Sequence, residues 1–303
     1  MPSAIRPLAD PAGGIRAASL LLISLLVLAA CAVSGSSDAP AATTEPSASE
    51  RPSPLAATRL ATPSPTAEPD EPGAAYLALG DSVAFGIGVP DPRGDGYPAR
   101  VDAGLAGIEE TRVFAVPGQT AAGFLEDRID DVERAIAELG DRVELVTVGL
   151  GANELLRIPR EPACAADGTS AACTETVHAA IAAAEAALDG VVARVQAALA
   201  TAGADAQVLV LAYYNPDVDP IAAATVVGTD GRVGCDTGEP APGLNDRIAC
   251  VASQRDATLV DLHAAFLGRE DELTNIGRRD VHPNADGYAV IAETILDVVE
   301  SDG

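Results

Sequence analysis

Lysine is absent from this chain, and all 19 of its basic residues are arginine. That absence excludes a phosphate-binding P-loop, a Schiff-base lysine and a Ser-Lys dyad, each of which needs a lysine side chain. Tryptophan is also absent and aromatics make up only 3% of the residues, while 48% are hydrophobic, so the core has to be built from Ala, Val, Leu and Ile. Such a core suits helices packed on a sheet. Positive charge is scarce throughout: the formal net charge is -26 and no basic run is present. That charge argues against a nucleic-acid partner, because binding a phosphate backbone needs a basic patch that releases counterions. The acidity reads instead as a solvated surface. Other motifs are missing as well. There is no Gly-x-Ser-x-Gly elbow, no His-Glu-x-x-His pair for a zinc protease, and Gly86-Ile87-Gly88 lacks the third glycine of a dinucleotide loop. That last segment is expected to be a flexible turn on the substrate side. Acidic pairs such as Asp130 and Asp131 fall on predicted helix surfaces, which gives no support to a glycosidase-type carboxylate couple.

No apolar run near the N-terminus is long enough to span a bilayer. Arg6 and Arg16 precede the run Leu20 to Ala30, which has the shape of a signal-peptide core. It ends Leu28-Ala29-Ala30-Cys31, which resembles a bacterial lipobox, in which the cysteine becomes the lipid-modified first residue of the mature chain. Residues 1–30 are therefore expected to be a lipoprotein signal peptide, with Cys31 carrying a lipid such as palmitate. Residues 31–73 are rich in Ala, Ser, Thr and Pro without hydrophobic periodicity, the composition of a disordered tether. A chain so organised is exported and held by its lipid at the outer face of the bacterial cell membrane, or secreted if the lipobox is not used. The four remaining cysteines, Cys164, Cys173, Cys235 and Cys250, would then lie in an oxidising compartment. Three pairings are possible, and Cys164 with Cys173 and Cys235 with Cys250 are favoured because each closes a short local loop. The spacing of zinc ribbons is not found.

From residue 74 to 303 apolar runs alternate with helical patterns without a domain break. This is the signature of a three-layer α/β/α sandwich around a parallel sheet. About five strands are expected: Tyr76 to Leu79, Arg112 to Val116, Val143 to Leu150, Gln207 to Tyr214 and Thr258 to Leu262. Helices are expected at Phe124 to Leu139, Thr174 to Thr201, Leu244 to Gln254 and Asp286 to Val299. In the second of these, Val177, Ile181, Ala184, Leu188, Val191, Val195 and Leu199 step by three and four and fall on one face. Every strand would deliver its following loop to the same edge of the sheet, where open α/β folds place their sites.

Three segments on that edge carry chemistry. The first strand runs into Gly80-Asp81-Ser82-Val83, where glycine permits a sharp turn and leaves the serine exposed with its own N–H free. Alone, an Asp-Ser pair after a strand is an ordinary turn and helix cap. After the third strand, Asn153 is placed to donate to a developing oxyanion, and near the C-terminus Asp280-Val281-His282-Pro283-Asn284 puts a histidine just before the last helix. Together they supply what acyl transfer requires: a nucleophile, a base and oxyanion donors. His178, within a long helix, and His263, in an expected solvated or capping position, are poor rivals for the base.

In the order and spacing of these blocks, over roughly residues 74 to 300, the chain resembles the SGNH or GDSL hydrolase family. Gly80-Asp81-Ser82 is similar to its nucleophile block, Gly118 in Val116-Pro117-Gly118-Gln119-Thr120 to its glycine block, Asn153 to its asparagine block and His282 to its histidine block. Tyr213-Tyr214-Asn215-Pro216 and Leu244-Asn245 are similar to later segments of bacterial members. The resemblance implies a flavodoxin-like fold and a serine esterase or lipase. Ser82 would attack the ester carbonyl, His282 would relay the proton, and the oxyanion would be held by the N–H groups of Ser82 and Gly118 and the side chain of Asn153. It implies no metal or organic cofactor, and as partner a lipid, acylated sugar or other small acyl ester.

Three departures from the family pattern stand out. Val83 replaces the usual Leu. Glu154 stands where the asparagine block normally has Asp, so a longer side chain has to reach whatever that carboxylate orients. The acid that orients the histidine is usually three residues before it, where this chain has Arg279; Asp280, two before His282, is the candidate in its place, and otherwise a Ser-His dyad would operate. A second reading, a ligand-binding lipoprotein that keeps the fold without turnover, is motivated by Arg279 and Glu154. Specificity loops are expected at Leu156 to Cys173 and Asp217 to Gly243, and the sequence carries no signal for oligomeric state.

Overall fold

The structure, a computed structural model, describes residues 73–215, 233–235 and 243–302. The expected signal segment, Cys31 and nearly all of the tether lie outside the described residues, as does most of the expected loop from Asp217 to Gly243.

Five strands, β1 (Ala74–Gly80), β2 (Ile108–Ala115), β3 (Val143–Gly149), β4 (Gln207–Ala212) and β5 (Thr258–Asp261), form one sheet in the order β2-β1-β3-β4-β5 with every neighbouring pair parallel. The order reverses at β1, so the crevice beyond its C-terminal end is the topological switch point. Register makes this exact at the residue level: Gly80 is opposite Ala115 of β2 and Gly149 of β3. The chain therefore leaves all three strands at one height.

Alternating side chains of the inner strands enter two separate cores, the reason these strands read as unbroken apolar runs. Leu77, Leu79, Val146 and Val148 pack with the helices Ala121–Asp127, Ile129–Leu139, Ala171–Ala202 and Leu244–Gln254. Tyr76, Ala78, Leu145 and Leu209 pack with the helices Tyr97–Gly104, Leu262–Phe266 and Ala285–Asp302 on the other face. The seven-residue stripe expected on the long helix is buried along its whole length. That helix is apolar and long enough to cross a membrane, but its buried face belongs to this core.

Differences from the sequence expectation have local causes. β2 starts at Ile108 and not Arg112, because an edge strand with one neighbour needs no continuous apolar run; its Glu110 and Arg112 instead form ion pairs with each other, Arg142 and Glu138. The helix expected from Phe124 to Leu139 is two helices, parted where Arg128 leaves the α region (φ -122°, ψ -23°) with Phe124 and Ile129 both buried on either side. The long helix begins three residues earlier than expected, at Ala171, since the Ser170 hydroxyl accepts from the Cys173 N–H and caps it. Much of Leu156 to Cys173, expected as an irregular loop, is helical, with turns at Ile158–Arg160 and Pro162–Ala166. Disulfides join Cys164 to Cys173 and Cys235 to Cys250.

Candidate functional site

Only glycine fits at position 80. A Cβ there would lie 2.7 Å from both the Ala84 side chain and the Gly149 carbonyl, so its absence lets β1 close against β3 while the chain folds back over its own end. Asp81 then caps the short helix Ser82–Phe85, its Oδ1 accepting from the Val83 N–H at 2.9 Å. Ser82 is the first residue of that helix and half-buried, and its N–H has no carbonyl four residues back in the helix to bond. Gly86, at φ 90°, ends the helix with its N–H on the carbonyls of Ser82 and Val83.

Gly118 lies exposed in the loop after β2 at φ 79°, a conformation that favours glycine, and its carbonyl accepts from Arg157 at 3.1 Å. Asn153 follows β3 and is buried. Its amide nitrogen donates to Asp81 Oδ2 at 3.1 Å and to the Gln119 carbonyl at 3.0 Å, bridging the loops that hold Ser82 and Gly118. Glu154 uses its extra length to accept from the Ala121 N–H at 2.8 Å, tying the Asn153 loop to the start of the helix behind Gly118. Burial pushes its carboxyl above the ordinary value, and Oε2 has no partner among the described residues.

The third segment reaches the site through a turn. Arg279 takes the left-handed region at φ 60°, and Asp280 follows with Oδ1 accepting from His282 Nδ1 at 2.5 Å and from the His282 N–H at 3.2 Å. Asn275 braces the segment: its N–H donates to the His282 carbonyl at 2.9 Å and its side-chain amide to Gly88 at 3.1 Å. Gly88 sits so close that a Cβ would meet the Pro283 carbonyl at 2.3 Å and the His282 Cβ at 3.0 Å. Tyr288 adds a bond to the Ile87 carbonyl at 2.6 Å. Gly86 to Gly88 is thus not a flexible substrate-side turn but the splice between the Ser82 helix and the His282 loop. His263 is buried rather than solvated, with Nδ1 unpartnered among the described residues, and His178 is exposed on its helix. Ser82, Gly118, Asn153, Asp280 and His282 therefore come from four loops on one edge, and neither other histidine is joined to them by a described bond.

The sequence marks Asp81 as a turn residue of the Gly80-Asp81-Ser82 block and Tyr213 and Asn245 as parts of later blocks, with no role for any of the three side chains. Asp81 is 1% exposed and receives, besides Val83 and Asn153, the Tyr213 hydroxyl at 2.9 Å on Oδ2. Burial pushes its carboxyl up to about 6, against the hydrogen bonds from Val83 and Tyr213 and the positive charge of His282, which lower it. The same burial, with the Asp81 charge, holds the Tyr213 hydroxyl far above its usual value. The available signal is the Tyr213-Tyr214 pair directly after an apolar strand run, on the edge that also carries the Gly80-Asp81-Ser82 turn. Among the described residues no cluster of three metal-binding side chains occurs.

The arrangement provides a hydroxyl at a helix start, an acid-paired imidazole and a set of N–H donors, the parts of a nucleophilic acyl-transfer site. A family model described as the GDSL-like Lipase/Acylhydrolase family matches residues 78–290. No curated protein matches the chain. Among solved structures it is similar to the lipase Lip_vut3 from a goat rumen metagenome, with a TM-score of 0.52 and 20% identity, covering 73% of this chain and 95% of that one. It is similar also to Axe2, an acetylxylan esterase from Geobacillus stearothermophilus, with a TM-score of 0.50 and 17% identity over 75% of this chain and 94% of that one. At these identities the likeness is one of fold.

Proposed function

The chain belongs to the GDSL-like lipase/acylhydrolase family and is a hydrolase of carboxylic esters, and on that premise we propose that it works through an acyl-enzyme on Ser82 with His282 as base and Asp280 as orienting acid. The observation that carries this is the His282–Asp280 pair locked onto Gly88, in the same turn whose Ile87 N–H bonds the Ser82 carbonyl at 2.9 Å. With Nδ1–H donated to Asp280, the other ring nitrogen is free of a proton and acts as the base.

Ser82 Oγ bonds to the ester carbonyl carbon as its proton passes to that nitrogen. The carbonyl electrons move onto oxygen, and the oxyanion is held by the N–H groups of Ser82 and Gly118 and the amide of Asn153. Collapse of this intermediate breaks the bond to the alkoxy group, which leaves as alcohol with the proton from His282. Water, deprotonated by His282, repeats the sequence and frees the acid and Ser82. In the resting site both Asn153 amide protons are engaged, so the oxyanion takes the place of the Gln119 carbonyl.

The substrate is a lipid, acylated sugar or small acyl ester, and the enzyme acts outside the cytoplasm, anchored through a lipid on Cys31. Two disulfides support that compartment, since such bonds persist where the surroundings are oxidising. Turnover of p-nitrophenyl acetate and butyrate by the purified chain, beside Ser82→Ala and His282→Ala, tests the mechanism. The proposal expects both variants to be nearly inactive; equal activity in all three proteins would sink it. Labelling with radioactive palmitate in a bacterial host, lost in Cys31→Ser, tests the anchor.

A further inference from the structure

We infer that Tyr213 is a positioning residue of this site: clamped by Asn245, it fixes the Asp81 carboxylate against which the Asn153 amide is aimed. This rests on the role proposed above for Asn153.

Of the two acceptors that Asn153 bonds, Gln119 is half-buried in the loop after β2 and its carbonyl is the one an oxyanion replaces. Asp81 is the partner that stays. A carboxylate turns about its Cβ–Cγ bond unless both oxygens are held. Val83 holds Oδ1, and Oδ2, the atom that receives Asn153, is held by the Tyr213 hydroxyl at 2.9 Å.

Tyr213 is itself fixed with unusual thoroughness. It stands one residue beyond the end of β4, where sheet pairing has stopped. Asn245, wholly buried at the start of the Leu244–Gln254 helix, takes the place of a neighbouring strand: its Oδ1 accepts from the Tyr213 N–H at 2.8 Å, and its Nδ2 donates to the Tyr213 carbonyl at 2.7 Å. Four buried polar side chains thus run Asn245, Tyr213, Asp81, Asn153. A satisfied buried network of this kind rigidifies what it holds, and here its end is the one oxyanion donor that is a side chain. Other titratable groups facing Asp81 are Tyr97, Tyr214 and Tyr288, which feel its charge, and His282, whose positive form favours its ionisation; Glu154 acts on the Tyr213 hydroxyl.

The test is Tyr213→Phe in the full chain, assayed on p-nitrophenyl butyrate from pH 4.5 to 9, beside Ser82→Ala, Asn153→Ala and the double variant of Tyr213→Phe with Asn153→Ala. We expect kcat to fall about 10- to 100-fold with KM changed less than about twofold, as for an interaction made in the transition state. The acid limb of the profile should move to higher pH, because ionised Asp81 has lost a donor. In the Asn153→Ala background the same substitution should cost less than about twofold, since a residue acting through Asn153 has nothing left to position. Unchanged kcat with an unchanged acid limb overturns the inference, as does an equal loss in both backgrounds. Asp81→Asn guards against misfolding of the tyrosine variant and should show the same dependence on Asn153; equal loss with and without Asn153 counts against it. Full activity in Ser82→Ala defeats the serine mechanism itself, whereas an inactive Ser82→Ala with an unaffected Tyr213→Phe defeats only the positioning.

Discussion

Asp280 Oδ1 lies 2.5 Å from Nδ1 of His282, across a single intervening residue, and accepts the backbone N–H of the same histidine. The approach depends on Arg279, whose left-handed backbone turns the chain immediately before the acid, and on the Asp280 N–H, which donates to the Asn275 carbonyl. The arginine at the family's usual acid position thus supplies the bend, while its neighbour faces the ring.

Asp280→Asn should remove the charge that stabilises a protonated ring and loosen the tautomer. We expect kcat on p-nitrophenyl butyrate to fall about 100- to 10,000-fold with the fold intact by circular dichroism. A loss below about tenfold would mean that the ring is oriented by something else.

Gly88→Ala would force a methyl group into the Pro283 carbonyl at a residue with φ 107°, displacing the His282 loop from the Ser82 turn. Activity should drop at least about tenfold, given how steeply rates fall with small misplacements of catalytic groups. Wild-type kcat in this variant would show that the splice carries no positional constraint.

Asp81 couples the site to stability. Its carboxyl titrates near 6 in the folded chain, above its ordinary 3.8, so the folded state holds a proton that the unfolded state releases. Its contribution is fully present below about pH 4 and is lost as pH rises through about 6. A shift of about two units corresponds to roughly 3 kcal/mol. Relative to wild type, Asp81→Asn should therefore gain about 3 kcal/mol between pH 4 and pH 7 in urea unfolding, whatever its absolute stability. Parallel curves for the two proteins would contradict this.

Replacing Cys164 and Cys173 by serine opens a link between residues nine apart, and Cys235 and Cys250 a link between residues fifteen apart. Each double substitution should cost roughly 2–3 kcal/mol, measured by denaturant unfolding without reductant. Unchanged stability in either variant would assign that disulfide no part in holding the fold.

The alternation of apolar runs and helical stripes determined the layers and the five strands on its own, because both faces of an inner parallel strand must be apolar and a helix on a sheet must show one apolar face. The same sequence set out Ser82, Gly118, Asn153 and His282 in order along one edge. What it left open were relationships that no local pattern encodes. A polar edge strand hides its first half, Asp280 could be judged only once the Arg279 turn was seen, and Gly88 needs the Pro283 carbonyl beside it to show why it is glycine. Asp81, Tyr213 and Asn245 lie 132 and 32 positions apart in successive pairs, and only the tertiary structure makes them neighbours. Spacing along a chain predicts faces of local elements; a buried hydrogen-bond network is decided by which loops the sheet brings to the same depth, and that is a property of packing alone.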